Sequence, residues 1–273
     1  MANPVFNRSP IFSDKAAARA AAAPAAPTAD QLQQQYQAPS PSADEMGRMT
    51  YEDTLVKTGV SFAILLVGAV IGWMLGSYLI VTIGAAIIGL VLGLVNTFKR
   101  EPSPALILAY AFFEGVFVGG ISMVYTILFG STIVPMAVFG TLGVVGVTLA
   151  LFASGKVRAS KRATQIFMVA IFGYAAFSLV NLGLMLTGVT DSMFGLRDVE
   201  IGNTGIPLGV PLGILVVLLA AYSLVLDFDG IKRGVTNGAA RKYGWTAAFG
   251  LMVTVVWLYL EILRLIALVM GRR

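Results

Sequence analysis

The 273 residues are 57% hydrophobic and only 12% charged, with a mean hydropathy of +0.83, whereas soluble domains have roughly 45–50% apolar and about 25% charged residues. Lys and Arg number 19 against 14 Asp and Glu, a net charge of +5, and they fall in short stretches between apolar runs, a placement that reads as membrane topology and argues against a nucleic-acid partner. There is no Cys and no His, which excludes disulfides, thiolate nucleophiles, two-His zinc sites and Ser/His triads; proton-linked behaviour must run through carboxylates, and no enzyme is expected.

Residues 1–47 are rich in Ala, Pro, Gln and Ser and hold no apolar run. They predict a disordered tail, not a secretory signal. Pro4-Val5-Phe6 and Ser9-Pro10-Ile11-Phe12 suit either a short docking motif or plain solvated chain. The rest, 48–273, predicts an all-α integral membrane domain of seven transmembrane helices. Between Lys57 and Lys99 no residue is charged, enough chain at about 1.5 Å per residue to cross the roughly 30 Å hydrocarbon core twice, with Gly76-Ser77 as the turn. From Pro102 to Gly155 the single charge is Glu114, and Gly130-Ser131 followed by Pro135 divides a third from a fourth span. Gln165 to about Thr187 makes the fifth. The longest loop, Gly188 to Pro207, follows with Asp191, Asp198, Glu200 and one base, Arg197. The sixth span runs from near Pro211 to about Ile231, and the seventh from about Trp245 to Met270.

The second, fourth and sixth loops hold ten Lys and Arg, while the first, third and fifth hold only Arg197. Basic loops stay in the cytoplasm. The expected orientation is therefore a cytoplasmic N-terminus and an external C-terminus. Glycines spaced by four, such as Gly68, Gly72 and Gly76, Gly89 and Gly93, and Gly115 and Gly119, predict close helix packing in lipid.

Ionisable residues inside the predicted spans are Glu114, Asp227, Glu261 and Arg264, with Asp229 near the cytoplasmic edge. Each costs about 2.5–3.5 kcal/mol at mid-helix unless it finds a partner, water or a proton. Arg264 lies three residues beyond Glu261, on the same helical face, and can pair with it. A purely structural ion pair would explain those two. Three carboxylates against one Arg leave two negative charges over, and such an excess suits a bound hard cation such as calcium or shared protons.

Three segments then resemble the Bax inhibitor-1/YccA family, in particular its actinobacterial branch. They are Tyr110-Ala-Phe-Phe-Glu114-Gly115, Leu226-Asp227-Phe228-Asp229-Gly230-Ile231 and Ala248 to Leu265 with its Trp257-Leu-Tyr259-Leu-Glu261-Ile-Leu-Arg264 core. The resemblance covers roughly 50–270 and implies a seven-helix bundle with the C-terminal helix central, in a bacterial plasma membrane. It implies a pH-sensitive calcium leak in which a sixth-helix and a seventh-helix acid share a proton and close the pore. By motif these are Asp227 and Glu261, the latter a Glu where a calcium-conducting bacterial homologue has Asp. On this reading Asp227 and Glu261 form the gate or sensor and a possible calcium site, Arg264 orients Glu261, Glu114 lines the path and Asp229 supports it. The alternative is a non-conducting modulator of a membrane AAA protease, a quality-control scaffold with the tail as its handle.

Overall fold

The computed structural model describes residues 28–30, 33, 46–202 and 204–271. Most of the expected tail, including both candidate docking motifs, lies outside these residues; within it, Ala29, Asp30 and Gln33 are helical. Among the described residues from 46 onward, seven helices are long and apolar enough to cross a membrane, and there is no strand. The chain is a multi-pass helical membrane bundle whose apolar flanks meet the lipid bilayer.

Helix α1 spans Tyr51–Leu75. Thr50 accepts a 3.2 Å hydrogen bond from the Asp53 amide, and Glu52 and Asp53 occupy the first turn, where negative charge offsets the helix dipole. After a turn at Gly76 come α2, Leu79–Phe98, and α3, Pro104–Phe129, which opens on a proline and stops at Gly130 with φ +96°. Helix α4 covers Ile133–Ala153 and α5 covers Lys161–Leu186. The α5 start precedes the expected Gln165 because Ser160 caps the Ala163 amide at 3.2 Å. A 3-10 turn at Gly195–Asp198 interrupts the long loop before α6, Gly209–Thr236. Helix α6 runs past Ile231 to Thr236, so it takes in Lys232 and carries Arg233 in its last turn, where a cation meets the carbonyl end of the dipole. A short 3-10 turn at Arg241–Tyr243 leads into α7, Gly244–Met270.

Helix α7 sits at the centre, packed against α1, α3, α4 and α6. It can do so because it is apolar around most of its circumference; Ala248, Met252, Leu258 and Ala267 are fully buried. Helices α1 and α3 are held by near-contact of their backbones. A methyl added at Gly72 would come within 2.0 Å of the Val116 carbonyl oxygen, and one at Gly119 within 1.9 Å of that of Ala69. Only glycine permits that approach, the small-residue packing expected in lipid.

One face of the bundle collects the basic loops. The Met49 amide donates to the Ala239 carbonyl at 2.7 Å, and the Arg241 amide to that of Gly47 at 2.9 Å. Asp53 pairs with Lys57 and, at 2.9 Å, with Arg241. Lys242 pairs with Glu101 at 2.8 Å, and its hydrogen bond holds the exposed Glu101 carboxyl below the usual range. The entry to α1, the second loop and the sixth loop therefore share this basic face, as seven crossings require.

Candidate functional site

The residues on α7 divide into two levels along one stripe. An α-helix repeats nearly in register after seven residues, or about 10 Å. Thr254 and Glu261 are separated by that interval and so face the same way, two turns apart.

At the upper level, Glu261 is almost fully buried, at 1% exposure, and both its oxygens are occupied. Arg264 donates to Oε2 at 2.6 Å, the pair anticipated from their spacing. The other partner is Arg197, whose Nη1 lies 2.9 Å from Oε1. Arg197 comes from the 3-10 turn of the long loop, yet only 4% of it is exposed. Tyr174 of α5 donates to Oε2 at 2.8 Å and accepts from Arg197 at 2.7 Å. Ser178 accepts a longer 3.4 Å bond from Arg197. The guanidinium of Arg197 also lies over the Tyr174 and Phe177 rings, at 5.2 and 5.7 Å. Asn181 fixes the turn itself: it donates to the Phe194 carbonyl at 3.2 Å and accepts from the Leu196 amide at 2.7 Å. Both arginines line a cavity of about 340 Å³ beside this turn.

At the lower level, Asp227 of α6 accepts a 2.7 Å hydrogen bond from the Thr254 hydroxyl and has no cationic partner among the described residues. It lines a cavity of about 300 Å³ with Met49, Gly230, Gly234, Tyr243 and Thr246. Met49 and Tyr243 belong to the basic face, so the cavity approaches Asp227 from that side. Asp229, about two turns from the end of α6, pairs with Arg233 at 3.1 Å and lines neither cavity.

Asp227 and Glu261 are thus not a contacting pair. They share a face of α7 but lie at different depths along it, with the fully buried Leu258 one turn from both Thr254 and Glu261. Glu261 is bonded by two guanidiniums, and Thr254, the partner of Asp227, lies two turns away along α7. No cluster of three metal-ligating side chains occurs among the described residues. The surplus of negative charge also resolves differently. Around Glu261 two arginines face one carboxylate, and the uncompensated acids are Asp227 and Glu114.

Glu114 of α3 occupies a third cavity, of about 410 Å³, between α2, α3 and Phe249 and Val253 of α7. Positions 249 and 253 lie about 100° around α7 from 250 and 254, so Glu114 and Asp227 flank the central helix at one depth without sharing a cavity. Sequence reading passed over Arg197, Tyr174 and Thr254. Only Arg197 carried a signal, as the sole base on a loop set otherwise free of them.

The Bax inhibitor 1 like family matches residues 3–271, the tail included. No curated protein matches the chain. The family match spans nearly the whole sequence and agrees with the seven helices and the central, acid-bearing α7: the chain belongs to the Bax inhibitor 1 like family.

Proposed function

We propose that the protein is a cation leak, with calcium as the principal cargo, whose conduction is controlled by proton occupancy of Asp227. One observation carries this reading: a carboxylate in the membrane interior, without a cationic partner, lines a cavity that approaches it from the basic face. Such a group needs a counter-cation or a proton, and exchange between the two couples conduction to pH. A hard cation would meet the Asp227 oxygens first and complete its shell with water.

The two cavities along the α7 stripe supply the ends of a path. Between Thr254 and Glu261 it is closed by the fully buried Leu258. Glu261 serves as a latch: its bonds to Arg197, Arg264 and Tyr174 tie α7 to α5 and to the loop before α6. In this reading the basic face is cytoplasmic, the Arg197 turn faces outward, and the membrane is the bacterial plasma membrane.

The test is calcium entry into proteoliposomes over a pH series. Wild type is expected to exceed protein-free vesicles and to vary with pH, Asp227→Asn to conduct without that variation, and Glu261→Gln, its latch weakened, to leak faster. Absence of flux at every pH, or unaltered behaviour of both variants, overturns the proposal. Flux lost with retained co-purification of a membrane protease would favour the scaffold alternative.

A further inference from the structure

The cavity at Glu114 is set apart from the Asp227 path and has its own chemistry. Glu114 is the one carboxylate in its wall and has no hydrogen-bond partner among the described residues. The Tyr110 hydroxyl, on a residue only 5% exposed and lining the same cavity, has none either. Apart from Thr97, whose hydroxyl donates to the Gly93 carbonyl at 2.8 Å, the remaining wall is hydrocarbon and aromatic, with Phe117, and with Phe249 set edge-on to Tyr110 at 5.1 Å. Helix α2 makes the room. A methyl at Gly89 would lie 2.8 Å from the Glu114 carboxylate oxygen, and one at Gly93 3.3 Å from the Tyr110 ring. The rim carries exposed Leu90, Leu94 and Val253, so the opening faces the lipid.

We infer that this cavity binds a lipophilic primary ammonium ion that enters from the bilayer. The carboxylate accepts a charge-assisted N–H bond, and the Tyr110 oxygen accepts a second. Aromatic faces add attraction for the cation, while the hydrocarbon wall takes the organic body. Calcium does not suit the site, because it requires six to eight oxygens and these walls offer few. A quaternary ammonium would leave the Tyr110 hydroxyl and the carboxylate without a donor. A cavity of this size matches the usual range for small-molecule sites, about 300–1,000 Å³.

The experiment is calorimetric titration of the full-length protein in nanodiscs with 4-phenylbutylammonium as the probe, beside the neutral 4-phenylbutanol and calcium. Wild type is expected to bind the ammonium saturably. Glu114→Gln should weaken it tenfold or more and Tyr110→Phe threefold or more, while Asp227→Asn leaves it unchanged, which separates this site from the proposed cation path. Equal binding of the alcohol, or unchanged ammonium affinity in either Glu114→Gln or Tyr110→Phe, would overturn the inference. If Glu114→Gln is lost to misfolding, Gly89→Ala, which crowds the carboxylate from the other side, should show the same tenfold loss, and wild-type affinity in that variant would equally refute it.

Discussion

Glu261 has a single negative charge and two guanidiniums on it, in a setting with almost no solvent. Removing Arg197 leaves Glu261 and Arg264 balanced in charge but strips buried hydrogen bonds from the Glu261 carboxylate and the Tyr174 hydroxyl, at about 1–3 kcal/mol each. Arg197→Gln is therefore expected to lower thermal stability by that order in detergent, with Asp191→Asn, an exposed acid of the same loop, as a near-neutral control; equal effects of the two would deny Arg197 its buried role. Half of this cluster was legible in the sequence. The three-residue spacing of Glu261 and Arg264 dictates their encounter, because helical geometry is local. Arg197 lies 64 residues before Glu261, and nothing local says that a loop base turns inward. What draws it in is the packing of the loop: Asn181 clamps the turn, and the Phe177 and Tyr174 rings line the entry.

Among the elements, α1 and α3 are joined by glycines and α7 by its stripe. Gly119→Ala places a methyl into the Ala69 carbonyl and is expected to cost about 1–3 kcal/mol, whereas Gly59→Ala, with open space around it, should cost little. Comparable unfolding temperatures for the two would mean that α1 and α3 do not pack so closely. On α7, the fully buried Leu258 stands one turn from both Thr254 and Glu261. Leu258→Ala should both destabilise, by about 2–5 kcal/mol, and raise calcium leak several-fold at every pH; a destabilised variant with wild-type leak would move the seal elsewhere. The helices themselves were readable from apolar run length, and their ends shifted where capping decided them, at Ser160 for α5 and at Asn237-Gly238, with Gly238 at φ +64°, for α6. Which acids meet depends on tilt and depth, and that is why Asp227 finds Thr254 when a pairing motif suggests Glu261.

For the whole molecule, orientation rests on the gathering of basic residues on one face. Because the chain has no cysteine, single cysteines report topology without background. In intact cells an impermeant maleimide should label Asp191→Cys at once and Lys156→Cys only after permeabilisation, and the reverse pattern would invert the bundle. The seven crossings follow from hydropathy alone, and the central place of α7 is what the family resemblance implies, so the architecture was mostly legible. The distribution of charge inside it was not. One acid is latched by two arginines, and two others, at a common depth on adjacent faces of α7, are left without a cation. Control of conduction by Asp227 protonation is most directly tested by infrared difference spectra of reconstituted protein across the pH range in which calcium flux changes. The expected result is a carboxylic C=O band that titrates with the same midpoint as flux and disappears in Asp227→Asn; a band that survives in that variant, or titrates away from the flux midpoint, would contradict it.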